Sequence, residues 1–249
     1  MDKIEIAADA LARSKRALFI TGAGLSADSG LPTYRGVGGL YEDMAPDEGL
    51  PIEEILSGRM FAKRPELTWK YIYEIEKACR GRGPNDGHFF ISNLEKHGKE
   101  VMVFTQNVDG FHKKAGSKDI VDIHGDIHRL ICTSCGAQTE VENYADLEIP
   151  PFCPCSSMLR PDVVLFGEQL PMDKYGRFEM EMQRGFDIVF SIGTSSAFPY
   201  IVEPVLRARG KAAFTIEINP MKTVISPYVD LHFKGRAKEV LNALAKCVF

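Results

Sequence analysis

Four of the six cysteines lie in two close pairs, a spacing that is typical of a metal site. Cys132 and Cys135 are separated by two residues, Cys153 and Cys155 by one, and seventeen residues lie between the pairs. Four thiolates at such spacing bind Zn²⁺ in a closed tetrahedral cage, which has no open position for a substrate. The sequence therefore predicts one structural zinc ion in a ribbon. Four free thiols, or His128 in place of one cysteine, are the alternatives.

The stretch TGAGLSADSGLPTYRG, residues 21–36, follows a short apolar run and is rich in glycine. Glycine-rich turns after a strand often let backbone amides approach a phosphate. The spacing Gly22-x-Gly24-x5-Gly30 differs from that of dinucleotide dehydrogenases, and no Lys-Ser/Thr follows it as in a P-loop. By itself the stretch leaves both a dinucleotide site and a structural turn open. In a nucleotide site, Gly22 and Gly24 would approach a diphosphate and Arg35 would supply a cation.

The elements that must position these residues alternate between strands and helices. Apolar segments predict strands at residues 17–21, 101–105, 119–123, 186–193 and 212–219, and helical patterns occupy residues 3–15, 65–80, 88–98 and 236–246. This alternation predicts an α/β fold with a parallel sheet covered by helices on both faces. Polar segments follow the strands, and ligands bind at this edge of a parallel sheet. Residues 128–160 interrupt the pattern and predict an inserted metal module.

Composition and charge narrow the classes of protein. The chain has 249 residues, 45% of them apolar, a formal net charge of −4 and a pI of about 5.9, which does not suggest nucleic-acid binding. No apolar run approaches the roughly 18 residues of a membrane span, and the amphipathic N-terminus lacks a signal-peptide pattern. We therefore expect a cytoplasmic protein without membrane association, in which the isolated Cys79 and Cys247 are small buried apolar side chains.

Six segments together resemble the sirtuins, a family of NAD-dependent protein-lysine deacylases. In the order and spacing of that family, they are GAGLSADSGLPTYRG, TQNVDG, HGDIHRLICTSC, LRPDVVLFGE, GTSS and INP. The resemblance extends over residues 12–245 and implies a Rossmann-like domain with a smaller domain built from a helical part and the zinc ribbon. The NAD-binding domain would comprise residues 1–37, 85–127 and 161–249. The small domain would comprise residues 38–84 and 128–160.

The resemblance also assigns roles to individual residues. His124 is similar to the catalytic general base that deprotonates a ribose hydroxyl of NAD, and imidazole suits this role because its pKa lies near neutrality. The residues similar to those that bind NAD are Gly22, Ala23, Gly24, Tyr34, Arg35, Gln106, Asn107, Asp109, Gly193, Thr194, Ser195, Asn219 and Ala237. Among these, Asn107 and Asp109 would line the nicotinamide pocket. The residues similar to those that bind substrate, partly by pairing with its backbone as an added strand, are Val108, Val164, Phe166, Gly167 and Glu168.

The implied reaction removes an acyl group from lysine and yields nicotinamide, lysine and O-acetyl-ADP-ribose. Acetylated proteins are the expected partners, nicotinamide is the expected product and inhibitor, and a monomer is expected. The alternatives are a mono-ADP-ribosyltransferase, a desuccinylase on the same scaffold, or a zinc-ribbon module that binds NAD as a sensor. Tyr34, where the family commonly has Phe, gives the transferase alternative some support. The glycine spacing disfavours an oxidoreductase.

The acyl group can be narrowed further from the helix that follows the glycine-rich stretch. The branch that removes succinyl groups carries a Tyr-x-x-Arg pair there, whereas in this chain Tyr71 precedes Glu74 and Tyr73 precedes Glu76. An acid at this position would repel an acidic acyl group. The sequence therefore predicts removal of acetyl or other neutral acyl groups. Val108, where Ile is common, lacks only one methylene and is expected to change little.

Overall fold

Six parallel strands form the main sheet of the protein, whose computed structural model describes residues 2–32 and 49–249. Numbered in chain order, the strands of these residues are β1 Arg16–Thr21, β2 Glu100–Thr105, β3 Ile120–Asp122, β4 Gly125–Cys132, β5 Gln138–Glu140, β6 Leu159–Val163, β7 Ile188–Ile192, β8 Phe214–Ile218 and β9 Leu231–Phe233. The main sheet has the order β3-β2-β1-β7-β8-β9, and every neighbouring pair in it is parallel. The predicted parallel α/β sheet is confirmed, with all five predicted strands. The short β9, at the edge, was not predicted.

The helices of the described residues cover both faces of this sheet and build the smaller part of the molecule. In chain order they are α1 Lys3–Arg13, α2 Ala23–Ser26, α3 Ile52–Ile55, α4 Gly58–Lys63, α5 Pro65–Cys79, α6 Asp86–Lys96, α7 Phe111–Ala115, α8 Met172–Arg184, α9 Pro199–Gly210 and α10 Ala237–Val248. Local signals fix several of their starts: the Asp2 side chain accepts from the Glu5 amide in a capping box, and Pro199 opens α9. The four predicted helices are present, while α8 and α9 were missed.

Alternation along the buried strands divides the main core into two layers. On β1, Ala17 and Phe19 belong to a core shared with α1, α6 and α10, whereas Leu18 and Ile20 belong to the core shared with α8 and α9. This is the period of two that a strand imposes when both of its faces are covered. Each fully buried Leu, Ile or Phe side chain of this kind stabilises the fold by about 1.5–3 kcal/mol. The sheet is therefore a rigid base for the loops at its edge.

A third core holds the helical segment α3–α5 against the antiparallel sheet β5-β4-β6. Trp69 is fully buried there, packs edge-on against Tyr144 at 5.7 Å, and donates its indole N–H to the carbonyl of Leu159 at 3.1 Å. Gly125 starts β4 with φ +87°, and a Cβ on it would lie 1.8 Å from the carbonyl oxygen of Asp162. Only glycine allows this close approach, so the chain enters the small sheet directly after His124.

Within residues 2–32 and 49–249, no helix combines the length and the apolar character that crossing a bilayer would need.

Candidate functional site

The loop after β1 and the loop after β7 are hydrogen-bonded to each other at the carboxyl edge of the main sheet. The amide of Gly22 donates to the carbonyl of Ile192 at 3.0 Å, and the amide of Gly24 donates to the carbonyl of Gly193 at 2.8 Å. A Cβ on Gly22 would lie 2.8 Å from the Gly193 oxygen, and one on Gly24 would lie 2.6 Å from the Gly193 Cα. The glycine spacing therefore reflects contact between two loops, and these two amides already have partners within the protein.

Polar side chains from two further loops meet at Thr194. The Gln106 amide nitrogen donates to the Thr194 hydroxyl at 2.8 Å, and the Asn219 amide nitrogen donates to the Thr194 carbonyl at 2.8 Å. Ser195 is exposed beside them, and the buried hydroxyl of Ser196 has no hydrogen-bond partner among the described residues. A buried hydroxyl without a partner, on a loop at the edge where parallel sheets bind ligands, fits an oxygen of a dinucleotide as its partner.

The loop after β2 carries a buried amide and a buried carboxyl group. The Asn107 side chain donates to the Gly22 carbonyl and to the Ser26 hydroxyl, both at 3.1 Å, and Ser26 in turn donates to Asp109 at 2.7 Å. The amide of Phe111 donates to the second oxygen of Asp109 at 2.9 Å. Burial raises the pKa of Asp109, opposed by these two hydrogen bonds. Sequence reasoning placed Asn107 and Asp109 here but missed Ser26, the hydroxyl that joins them.

A buried histidine pair supports this loop from behind. The Thr21 hydroxyl contacts the Thr105 hydroxyl and the His112 Nε2, each at 2.9 Å. The Thr105 hydroxyl in turn accepts from the backbone amide of Asn107 at 3.0 Å. The rings of His112 and His88 lie 4.9 Å apart. Burial lowers the pKa of both histidines, to about 4 for His88. Both are therefore neutral near pH 7.

His124 follows β3 and is held at both ring nitrogens. Nδ1 lies 3.0 Å from the backbone carbonyl oxygen of Gln106, and Nε2 lies 2.8 Å from the Tyr200 hydroxyl. A carbonyl only accepts, so Nδ1 carries the proton and Nε2 presents its lone pair. Burial lowers the pKa of His124, partly opposed by the hydrogen bond to Gln106. The result is a neutral imidazole in the tautomer that a general base needs.

A small cavity of about 30 Å³ adjoins the Asn107 loop. Its lining residues are Ala23, Ser26, Leu31, Pro32, Ile75, Ala78, Cys79, Asn107, Val108 and Asp109. Helix α5 thus contributes Ile75, Ala78 and Cys79 to it. Glu76 is buried elsewhere and pairs with Arg80, and the half-buried Glu74 pairs with Lys77 at 3.5 Å. Neither of these two acids, which were predicted to repel an acidic acyl group, lines this cavity, toward which α5 turns an apolar face.

The strip Val164–Glu168 runs between the main sheet and the small part of the molecule. The amide of Val164 donates to the His124 carbonyl at 2.9 Å, and Phe166 exchanges backbone bonds with Leu56 and Gly58 at 2.9 and 3.1 Å. Glu168 forms two hydrogen bonds with Arg160, at 2.7 and 2.8 Å. An open groove of about 670 Å³ lies between this strip and α3–α4, lined by Pro51, Glu53, Glu54, Ser57, Gly58, Arg59, Phe166, Gly167 and Glu168.

The four paired cysteines converge in the small sheet. Their sulfur atoms all lie within 4.8 Å of one another, with 3.5 Å between Cys132 and Cys155 and 3.7 Å between Cys135 and Cys153. Sulfurs around a tetrahedral zinc with bonds of about 2.3 Å lie about 3.8 Å apart. The amides of Ser134 and Cys135 point at the Cys132 sulfur, both at 3.4 Å, and lower its pKa. This donor set fits zinc, and His128 is instead bonded to Asp126.

Three predicted residues remain, namely Ala237, Tyr34 and Arg35. Ala237 is buried at the start of α10, within the core that α10 shares with α1 and α6. Tyr34 and Arg35 lie outside the described residues. Tyr200, which sequence reasoning missed, is 76 residues from His124 in the chain, and no local pattern links the two.

Comparisons with known proteins agree with this geometry. A family model described as the Sir2 family matches residues 22–199. The chain is 48% identical over 250 residues to NAD-dependent protein deacylase 2 of Pseudomonas aeruginosa, covering 99% of the chain and 97% of that protein. It is 50% identical over 242 residues to NAD-dependent protein deacylase 2 of Pseudomonas syringae pv. tomato, covering 96% and 97%.

Solved structures are similar over the whole chain. A Sir2 homolog–NAD complex superimposes with a TM-score of 0.88 at 37% identity, covering 100% of this chain and 94% of that one. A Sir2–p53 peptide–NAD⁺ complex superimposes with a TM-score of 0.84 at 26% identity, covering 98% of each chain. The parallel sheet and the inserted small sheet are thus both parts of a known arrangement.

Proposed function

The chain belongs to the Sir2 family and is an NAD-dependent protein deacylase, and from this premise we propose that His124 is the general base of its reaction. The observation that carries the proposal is the pair of contacts at the imidazole. The Gln106 carbonyl holds the proton on Nδ1, so the Nε2 lone pair is available to accept a proton from a substrate hydroxyl. Because burial lowers the pKa of His124, the base is neutral at physiological pH.

Loops at the carboxyl edge of the sheet would hold NAD. Gly22, Ala23, Gly24, Gln106, Gly193, Thr194, Ser195, Asn219 and Ala237 are assigned to it, together with Tyr34 and Arg35. When bound, NAD supplies the ribose that receives the acyl group, with nicotinamide as leaving group. Asn107 and Asp109 would bind the nicotinamide carboxamide, with Ser26 fixing their relative position. The unpaired Ser196 hydroxyl supports a ligand at this edge.

Acetylated proteins are the proposed substrates, bound along Val164–Glu168 as an added strand. Most amides of this strip already donate within the protein: those of Val164, Leu165, Phe166 and Glu168. A substrate strand would therefore donate its own amides to strip carbonyls and accept from Gly167. Val108 would contact the acyl-lysine. The lack of an Arg three residues after Tyr71 or Tyr73 supports a neutral acyl group.

The two-domain division of the sequence analysis remains part of this proposal. Residues 1–37, 85–127 and 161–249 would form the NAD-binding domain, and residues 38–84 and 128–160 the small domain. The separate core around Trp69 and Tyr144 supports the division. We further propose a monomer in the cytoplasm, with nicotinamide as product and inhibitor and a single structural zinc on the four cysteines.

The proposal is tested with acetyl-lysine and succinyl-lysine peptides, each incubated with and without NAD and analysed by mass spectrometry. We expect NAD-dependent loss of acetyl, with nicotinamide and O-acetyl-ADP-ribose formed in equal amounts, and little loss of succinyl. His124→Ala should lower the rate by about 10²–10⁴-fold, as removal of a general base does. Its affinity for NAD should stay within about threefold of the parent value, because the base acts after binding.

Three results would contradict parts of this proposal. Normal turnover by His124→Ala would remove His124 from the mechanism. Preferential loss of succinyl would show that the acyl pocket is misread. ADP-ribose on protein without any deacylation would favour the transferase alternative.

A further inference from the structure

The Tyr200 hydroxyl occupies the one lone pair of His124 that a general base must use. Its oxygen lies 2.8 Å from Nε2, and the two rings meet edge to face with centroids 6.0 Å apart. Because Nδ1 donates to the Gln106 carbonyl, Nε2 of the neutral ring can only accept, and Tyr200 must donate. Burial raises the pKa of Tyr200 to about 12, so the hydroxyl keeps its proton at neutral pH.

Tyr200 is held in place by its helix and by a neighbouring ring. It is the second residue of α9, directly after Pro199, and its ring stacks on Phe198 at 5.4 Å with an interplanar angle of 14°. The other side of the ring packs against the core shared with α8 and α9. The contact with His124 therefore rests on a fixed element rather than on a freely rotating surface side chain.

Charged groups on the segments around His124 are already paired with one another. These pairs are Asp122 with Lys174 at 2.7 Å and with Arg129 at 3.3 Å, Asp126 with His128 at 3.0 Å, and Glu168 with Arg160 at 2.7 Å. None of them bonds to the imidazole, whose hydrogen-bond partners are the backbone carbonyl of Gln106 and the hydroxyl of Tyr200. Among the described residues, Tyr200 is thus the side chain that acts on the Nε2 of His124.

We propose that Tyr200 is a positioning residue, whose hydroxyl holds the Nε2 of His124 toward the cleft until a substrate hydroxyl takes its place. This inference rests on the proposed role of His124 as general base. The hydroxyl donates to Nε2 of the neutral ring and, after rotation, accepts from the Nε2–H of the protonated ring, in a charge-assisted bond that is about twice as strong. Removing the hydroxyl therefore leaves Nε2 unheld in both states and makes His124 harder to protonate. It leaves the hydrogen bond to Gln106, and so the tautomer, unchanged.

The test compares Tyr200→Phe, which keeps the ring and its stack on Phe198, with Tyr228→Phe, an exposed tyrosine on another segment. In the free protein, NMR of the histidine ring nitrogens follows the protonation of His124, whose signal His124→Ala identifies. We expect Tyr200→Phe to lower the pKa of His124 by about 0.5 to 1 unit, because the bond lost from the protonated ring is stronger than the bond lost from the neutral ring. Tyr228→Phe should leave it unchanged.

The same variants are then assayed as kcat/KM against pH. In Tyr200→Phe the acid limb should move to lower pH by the same amount. At high pH, where the base is deprotonated in both proteins, activity should fall about three- to tenfold, because Nε2 is no longer held toward the cleft. A merely structural defect would instead lower activity without moving the acid limb.

The outcomes separate this inference from the function on which it rests. An unchanged pKa of His124 in Tyr200→Phe overturns the role of Tyr200, whatever the activity. A lowered pKa in the NMR titration with an unmoved acid limb supports the Tyr200 contact and contradicts His124 as the general base. Uniform loss of activity at all pH values with no shift in pKa also overturns the inference.

Discussion

The edge of the main sheet and the cysteine-bearing small sheet are organised in different ways. At the edge, side chains assigned to ligands are bonded to other protein groups, as in the buried chain from Asn107 through Ser26 to Asp109. In the small sheet, the four sulfurs gather around one point, while Cys135, Cys155 and the whole of β5 are exposed. The edge is thus assembled by the protein itself, whereas we expect the cysteine end to depend on a bound ion.

The largest test of this contrast is removal of the metal. A structural zinc on four thiolates contributes about 10–16 kcal/mol at pH 7, which no set of exposed strand contacts replaces. We expect inductively coupled plasma mass spectrometry to find one zinc ion per chain. On chelation, we expect loss of hydrogen-exchange protection in β4–β6 and in the helices that share their core, while β1, β2, β7 and β8 remain protected.

A matched pair of variants sharpens the measurement. Cys135→Ser removes one of the four sulfurs and should reproduce the effect of chelation. Cys247→Ser, an exposed cysteine in α10 and outside the cluster, should bind zinc and exchange like the parent protein. A folded, active protein without zinc, or equal loss of hydrogen-exchange protection in both sheets, would show that the small sheet does not depend on zinc more than the main sheet does.

The loops at the edge of the main sheet rest on buried histidines, which make the protein less stable at low pH. His88 and His112 are buried and neutral, and burial holds the pKa of His88 at about 4 against its ordinary value of 6.5. Between these values the unfolded chain binds a proton that the folded one does not, so stability falls as pH drops from about 6.5 toward 4. Each such histidine lowers the free energy of unfolding by about 1.4 kcal/mol per pH unit.

Urea unfolding at pH 7, 6 and 5 measures this loss. The variant His88→Gln, which cannot titrate, should be less stable at pH 7 but should lose less stability between pH 7 and pH 5. His97→Gln, a change at an exposed histidine in a helix cap, should keep the parent slope. Equal slopes in all three proteins would show that the buried pair does not limit stability in acid.

Much of both regions could be predicted from the sequence, because their signals are local. The cysteine spacing depends on a few neighbouring residues, and the buried strands show as apolar runs, so the zinc site and the parallel sheet were both expected. The Gly22–Gly24 stretch was recognised as a motif, but the structural reason for glycine at these two positions was not. Its contact with Gly193 joins residues about 170 positions apart, and no single segment encodes such an approach.

What sequence reasoning missed has the same cause. Ser26 was inside a recognised motif, but only the fold shows that its hydroxyl joins Asn107 to Asp109. Glu74 and Glu76 were chosen by spacing alone, and a shift of one residue on a helix turns a side chain by about 100°, so the sequence did not show which residues of α5 line the cavity. Tyr200 meets His124 only through the packing of α9 on the sheet.

The smallest predicted effect concerns the charge pair that joins the two regions. Lys113 of α7 lies 3.1 Å from Glu140 of β5, with both side chains about 70% exposed. Exposed pairs of this kind contribute about 0.5 kcal/mol or less, because water and salt screen them. Lys113→Met should therefore leave the urea midpoint and zinc content nearly unchanged.

The firmer link between the two regions is made by the backbone. Ile127 donates to the Val108 carbonyl at 3.0 Å, and Val164 donates to the His124 carbonyl at 2.9 Å, so the start of the small sheet is bonded to loops of the site. These bonds survive the change at Lys113, and hydrogen exchange at Ile127 and Val164 should stay slow in the variant. A loss above about 1.5 kcal/mol, well beyond an exposed pair, would mean that charge rather than backbone joins the two regions.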